Sequence, residues 1–376
     1  TTEYIEPFDK AANYYVAFNN INRLDKKEGF VCSTKDVPLS LTNNNITNKA
    51  SNAKYKTMKL ALSCTAEYAN CFGATSAAQV NLVLAAYNAT MTRVNGVYEK
   101  DLSLHLNIVT ESTQVIYYNP ATDPYSDGAT GSGGAWNAEL MNALHNTIGD
   151  TPFDIGHLFG ASGGGGNAGC IGCVCSNDMT VDSFGDPVAY KGSGFTSPGD
   201  NIPQTDTFDI DYVAHEMGHQ CGGNHSFTYG YEGTVAQTEP GSGSTIMGYA
   251  GITSYDVQAH SDPIFSYKNI FQIQSNLNSK TCPVTTALAG INATPVANAG
   301  ADYTIPVGTA FVLTGTATDA DATDVLTYIW EENDLGTSST TTTSSRVLAT
   351  KTTGPNFRTF KPSNKLERYF PQMGKI

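Results

Sequence analysis

His215-Glu216-Met217-Gly218-His219-Gln220-Cys221-Gly222-Gly223-Asn224-His225 is the stretch from which the rest of the chain is read. Residues 207–221 have the length and apolar content of a buried helix. On a helix, His215 and His219 are four apart, share one face and can bind one ion. Glu216 projects beside them, near enough to act on a water at that ion. His225 lies six residues beyond His219, where a helix would carry it to another side, so the chain must turn sharply after His219. Gly222 can adopt the positive φ that such a turn needs. Three imidazoles with one open position describe a catalytic zinc rather than a closed structural one. The competing reading is a chance pattern on a surface helix, but an apolar helix makes stray histidines costly.

Outward from this stretch, the pattern alternates between strand and helix periods. Met58, Leu60 and Leu62 alternate with other residues, as in a strand. Val80, Val83, Leu84, Tyr87, Met91 and Val94 recur at spacings of three and four, which predicts a helix over about 76–98. Leu102, Leu104, Leu106 and Ile108 alternate strictly, as a strand does. A second helix over about 136–148, a short strand over 154–160 and a last helix over about 266–277 follow. This β-α-β-α-β-β-α order predicts a three-layer α/β domain with a mixed, mostly parallel sheet. Four regions result: a polar N-terminal extension or pro-segment remnant (1–52), the α/β domain (53–284), a linker rich in Ala, Thr and Pro (285–294), and a small all-β sandwich module (295–376).

Composition removes several function classes. The chain has 376 residues and 21 Lys+Arg against 35 Asp+Glu, a formal net charge of −14. With no basic cluster either, nucleic acid is excluded as a partner. No apolar run approaches the roughly 20 residues of a membrane span. The N-terminus lacks the basic and apolar regions of a signal peptide, so the protein is either intracellular or already processed. Eight cysteines favour the second option, because an even count in an acidic, Thr/Asn-rich chain suggests disulfides and secretion. Cys170-x-x-Cys173-x-Cys175 is the alternative, a metal knuckle, although structural zinc usually pairs two of these.

Ser244-Thr245-Ile246-Met247-Gly248-Tyr249 stands shortly after His225. With the histidine motif before it, this run resembles the metzincin zinc endopeptidases, and the resemblance implies that Met247 forms an apolar base beneath the zinc. Within that clan the chain is most similar to secreted bacterial reprolysin-like proteases. The shared runs are Arg93–Glu99, Asp154–His157, Gly163–Gly166 and Glu239–Met247, and the similarity covers about 54–277. Two positions depart from the animal and venom reprolysins: Ser226 stands where they have Asp, and Tyr249 lies two residues past Met247. A Tyr there is similar to astacins, serralysins and pappalysins, in which it can ligate zinc and swing to support the transition state.

The resemblance implies peptide hydrolysis of protein or peptide substrates. Zinc lowers the pKa of water from 15.7 toward about 7, and Glu216 takes the proton and passes it to the leaving amine. Zinc and the Tyr249 hydroxyl would stabilise the oxyanion. The clan binds substrate as an added antiparallel strand, and Gly163–Cys175 falls where the receiving edge belongs. The C-terminal region resembles a PKD or related immunoglobulin-like domain, with Trp330 as its core tryptophan. There, Asp319, Asp321 and Asp324 could bind calcium or simply form a solvated turn.

Two other functions compete with an active protease. One is a non-catalytic adhesion or binding protein on an inert scaffold, which the intact Glu216 argues against. The other is a latent zymogen, in which Cys32, within Phe30-Val31-Cys32-Ser33, fills the open zinc position as a thiolate. An even cysteine count instead favours a disulfide between Cys32 and the catalytic domain. Cys221 is expected to face away from the ion and to pair with Cys170, Cys173 or Cys175. His105, His145, His157 and His260 have no metal-ligand spacing.

Overall fold

A computed structural model describes residues 3–7, 15–19, 30–37 and 53–371. In chain order the strands are β1 (Glu3–Pro7), β2 (Tyr15–Asn19), β3 (Val31–Cys32), β4 (Lys54–Cys64), β5 (Leu104–Ile108), β6 (Ile155–Phe159), β7 (Gly165–Asn167), β8 (Asn177–Val181), β9 (Pro187–Tyr190), β10 (Gly194–Ser197) and β11 (Val284–Ala287). The helices are α1 (Ala66–Cys71), α2 (Val80–Leu102), α3 (Gly128–Thr130), α4 (Trp136–Thr147), α5 (Ala214–Cys221) and α6 (Tyr267–Ser279). β1 and β2 form their own antiparallel pair, and β8 and β9 form another.

The central sheet runs β11–β4–β6–β10–β7–β3, with β5 also paired to β4. β4, β5, β6 and β10 are mutually parallel, whereas β11 runs antiparallel to β4 and β7 antiparallel to β10; β3 pairs with β7 in parallel. The pleat sorts β4 by parity: Leu60, Leu62 and Cys64 enter one apolar cluster, and Ala61 enters another on the opposite face. The first cluster includes α2 residues Val83, Tyr87 and Met91 together with Met217 and Cys221 of α5. The second is built on Trp136, Leu140 and Leu144 of α4. Helices on both faces of a mostly parallel sheet make the three-layer α/β architecture that the element order predicts.

Local boundaries shift for identifiable reasons. α2 extends to Leu102, which the alternating pattern assigns to a strand. Ser103 then takes a left-handed conformation (φ 53°) and ends the helix, so β5 begins only at Leu104. Leu102 is buried either way, and burial alone does not distinguish the two periods over four residues. α5 continues from a wider-wound turn, Thr207–Val213, so 207–221 is helical throughout.

The cysteines depart from the expected pairing. Disulfides join Cys170 to Cys173 and Cys175 to Cys282. Cys32 and Cys221 remain thiols, contrary to both pairings expected for them. Cys221 is buried in the apolar cluster that also holds α2 and α6 residues.

After β11, the strands β12 (Val296–Asn298) and β14 (Thr316–Thr318) pair antiparallel, as do β13 (Phe311–Thr314) and β15 (Glu367–Phe370). Trp330 is only partly buried, with its indole N–H donating to Leu366 O. The intervening chain lies against the α/β region: Gly336 N donates to Gln237 O, Gly241 N to Ser345 O, and Ser244 Oγ to Thr359 O. Arg358 meets Asp262 at 3.4 Å.

Two carboxyl groups hold the start of α6. Glu331 accepts from Tyr267 N, and Asp101 accepts from Phe265 N. Burial pushes Glu331 up to about 7 and Asp101 up to about 6, against the opposing pull of those N–H groups. Both values lie above the ordinary carboxyl range of about 4, so the folded state binds these protons more tightly than the unfolded chain. Their stabilisation is complete below about pH 4 and is lost as pH rises through 6 to 7. Thermal melts should therefore show a declining contribution between pH 5 and 8, and Glu331→Gln should flatten it. An unchanged slope in that variant would exclude Glu331 as a source.

Candidate metal centre

The site begins with α5 and the turn that ends it. Gly222 has φ 117°, and a Cβ there would meet Asn276 Cβ at 2.8 Å, so conformation and space both demand glycine. That turn returns the chain to place His225 beside the helix. The ring nitrogens Nε2 of His215 and His225 each lie 3.1 Å from Nε2 of His219. All three side chains are about 1% exposed or less.

Each imidazole is oriented from its other nitrogen. His215 Nδ1 donates to Ile246 O at 2.7 Å, and His219 Nδ1 donates to Gly223 O at 2.7 Å. A carbonyl can only accept, so Nδ1 carries the proton in both and Nε2 presents a lone pair. Burial pushes His215 down to about 3 and His219 well below its usual range, with the neighbouring imidazoles adding to both shifts. Both rings are thus neutral, the form that binds metal. Burial also opposes charge on His225, but bonds with Asp36, Cys32 and Glu232 outweigh it and raise this ring well above its usual range. Asp36 and Glu232 meet its Nδ1 at 3.1 and 2.8 Å. Such a carboxylate behind a ligating imidazole fixes its tautomer and raises its basicity.

The donor set fits a tetrahedral ion. Nitrogens about 2.0–2.1 Å from zinc lie roughly 3.3 Å apart, close to the 3.1 Å separations here. Lone pairs facing each other at that distance repel unless a cation lies between them. The fourth position faces Cys32, whose Sγ is 3.6 Å from His225 Nε2 and 3.7 Å from His219 Nε2. A tetrahedral zinc with a sulfur at about 2.3 Å would set that separation near 3.6 Å. Burial pushes the Cys32 thiol up to about 11, with Glu216 adding to the rise, so a cation is what would convert it to a thiolate.

Around this cluster, residues 30–37 make a continuous set of contacts. Phe30 stacks on Tyr212 with centroids 3.7 Å apart and planes 4° from parallel. Cys32 O accepts from the Tyr249 hydroxyl at 3.2 Å. Thr34 Oγ1 donates to Glu216 Oε2 at 3.0 Å and accepts from Ala168 N at 2.8 Å. Val37 N donates to Asn224 Oδ1, and His225 N donates to Asp36. β3 pairs with β7 in parallel, with Val31 opposite Gly165 and Cys32 opposite Gly166. A groove of about 460 Å³ continues beyond, lined by Lys35, Asn137, Asn167, Ile171 and Val188 among others.

Glu216 is fully buried, and burial pushes its carboxyl up to about 7 while bonds with Cys32 and Thr34 pull it down. Its Oε1 has no hydrogen-bond partner. Met247, also fully buried, lies with its sulfur 2.7 Å from where a Cβ on Gly218 would stand, beneath the helix that carries two of the histidines.

The structure therefore brings together His215, His219, His225, Glu216, Gly222, Met247 and Tyr249. It also brings in Asp36, Glu232, Thr34 and Phe30, which no sequence spacing marks because they reach the site through tertiary contacts. Among the described residues, Asp319, Asp321 and Asp324 also converge. Backbone N–H groups already bond two of them, Asp321 N to Asp319 and Ala293 N to Asp321, so the calcium expectation rests on that convergence alone. His157 ties the sheet to α5, with Nδ1 2.8 Å from Gln220 Oε1 and Nε2 2.8 Å from Thr196 Oγ1.

Three buried imidazoles with convergent lone pairs, beside a buried carboxylate, are the arrangement of a metal-dependent hydrolase. The chain belongs to the reprolysin-like metallopeptidases of family M12B, whose profile matches residues 54–280. No curated protein gives a significant match to the chain. Among the described residues, no helix is long and apolar enough to cross a membrane.

Gly166 supplies a direct check on the packing of Glu216. A Cβ at Gly166 would stand 2.3 Å from Glu216 Oε1 and 2.7 Å from its Cδ. Gly166→Ala should therefore cost about 1–3 kcal/mol in urea denaturation, the usual penalty of overpacking. Stability equal to the parent chain would show that Glu216 sits elsewhere.

Proposed function

We propose that this chain is a secreted zinc endopeptidase whose site is held latent by residues 30–37. The observation that carries this reading is the position of Cys32 Sγ beside two Nε2 atoms of the histidine cluster. His215, His219 and His225 would hold the zinc, with Cys32 as the fourth ligand in the latent form. When bound, zinc supplies a Lewis acid that polarises a scissile carbonyl and makes a nucleophile available near neutral pH.

The chain's own residues do the rest. Glu216 takes a proton from the attacking water and delivers it to the leaving amine. Its unpartnered Oε1 and its apolar surroundings suit a carboxyl that holds and releases a proton near neutrality. Tyr249 is positioned by ring contacts with His215 and His225, and its hydroxyl now donates to Cys32 O. With residues 30–37 gone, that hydroxyl is free to donate to a substrate oxyanion. β7 then becomes an open edge able to receive an extended peptide by strand addition.

Direction supports latency. Substrates of the metzincin clan add antiparallel to this edge, whereas β3 runs parallel to β7. The segment thus fills the cleft with its amides reversed relative to a cleavable peptide. Two disulfides in the fold favour an oxidising compartment, which supports secretion.

Two experiments test this reading. Metal analysis should give one zinc per chain. His219→Ala should weaken it by more than the roughly 10–100-fold that loss of an outer partner costs. Glu216→Ala should keep the zinc and lose most of the turnover on an unstructured protein. Stoichiometric zinc in the first variant or full activity in the second would overturn the assignment. For latency, peptide mapping without reduction should recover Cys32 as a thiol, and Cys32→Ala should raise the activity of the full chain. A Cys32 disulfide, or an unchanged activity, would refute the switch.

A further inference from the structure

We infer that Glu239 is a positioning residue for the metal centre, its carboxylate locking the backbone that carries His225 to the Met247 turn that orients His215. This inference rests on the metal reading above.

Glu239 is 2% exposed and accepts from five donors. Its Oε1 takes Ser244 N at 3.0 Å and Ser244 Oγ at 2.9 Å. Its Oε2 takes Ser226 Oγ at 2.7 Å, Thr245 Oγ1 at 2.6 Å and Thr245 N at 3.3 Å. Hydroxyls can rotate to become acceptors, but backbone N–H groups cannot. Each oxygen faces one such N–H, so both must accept, and a carboxylate is the side chain that satisfies them. The backbone repeats the connection: Glu239 N donates to Ser226 O, and Ser226 N donates to Met247 O. Gly243 makes room for the group, because a Cβ there would stand 3.0 Å from Glu239 Oε2.

Both ends of this clamp lie one residue from the metal centre. Ser226 follows His225 directly. Thr245 precedes Ile246, whose carbonyl holds His215 Nδ1 at 2.7 Å. Ligating side chains must be held within about 0.5 Å of productive geometry, and His225 and His215 approach the cluster from separate chain segments. The Glu239 carboxylate is a buried group that joins those two segments through Ser226, Ser244 and Thr245. Removing the carboxylate would leave the Ser226 N–Met247 O bond as the direct link between the segment of the third histidine and the Met247 turn, and would loosen their relative position without touching any ligand.

The test uses the full chain and the variants Glu239→Gln, Ser226→Asp and the double variant. In Glu239→Gln, an NH2 group must face a backbone N–H whichever way the amide is turned. Zinc affinity by chelator competition should fall about 10–100-fold, as for other outer partners of metal ligands. The visible spectrum of the cobalt-substituted chain should shift. Ser226 Oγ lies 3.3 Å from Thr245 Oγ1, so an Asp at 226 can present a carboxylate to the same turn. Ser226→Asp should weaken binding in the parent chain, where two carboxylates would crowd, and restore it in the Glu239→Gln background.

Unchanged zinc affinity and cobalt spectrum in Glu239→Gln would overturn the inference. So would a lower melting temperature of the metal-free chain with an unchanged spectrum, because that pattern marks a purely structural role. If Glu239→Gln does not fold, Thr245→Val and Ser226→Ala each remove one donor from the clamp, and an unchanged spectrum in both overturns it equally. A parent chain that takes up neither zinc nor cobalt would instead overturn the metal reading itself.

Discussion

Three buried imidazoles with their Nε2 atoms converging to 3.1 Å are a costly arrangement, and the surrounding architecture holds them in it. No one element could do so. α5 supplies two rings, the Gly222 turn swings the third back, and carbonyls of Gly223 and Ile246 fix which nitrogen is protonated. The sheet contributes through β6, where His157 grips Gln220 of α5, and through β7, whose Gly166 leaves space for Glu216. Preorganisation of this kind is costly to the apo fold, and the family's metal is what offsets it.

Residues 30–37 reach this centre as a bound ligand would. They place an aromatic ring on Tyr212, a sulfur toward the ring nitrogens, a hydroxyl on Glu216 and a carboxylate behind His225. Most of these contacts are polar and buried, so their strength depends on all partners being present together. Being part of the same chain, the segment is present at high effective concentration, and in the latent form proposed above modest contacts would suffice to keep the cleft closed.

Much of this was legible in the sequence, and the reasons differ by element. The spacing of His215, His219 and His225 fixes their convergence because helix period and glycine turn leave few alternatives. Alternation in β4 and the apolar stripe of α2 reveal the layers, since burial on one side imposes periodicity. Leu102 fits the strand alternation yet ends α2, because four residues are too few to separate the periods. The cysteines misled: parity says nothing about which thiols meet, and Cys32 reached the histidines while Cys221 stayed in the apolar layer. Asp36, Glu232 and Glu239 carry no local signal at all, because a carboxylate that braces a histidine can come from any loop that folds nearby. Glu239 did fall inside the shared run ending at Met247, yet only its five donors give it a role.

The disulfide from Cys175 to Cys282 spans 107 residues, and His215, His219, His225, Glu239 and Met247 all lie within that span. The three histidines and the turn behind them are therefore enclosed in one covalent ring. In the chain-entropy model, a loop of about 100 residues limits the unfolded ensemble by about 4.7 kcal/mol. That is a sizeable fraction of the roughly 5–15 kcal/mol by which domains are stable. Opening the ring by reduction would release all three histidines into a longer and freer loop at once, so the durability of this centre is tied to the redox state of its surroundings.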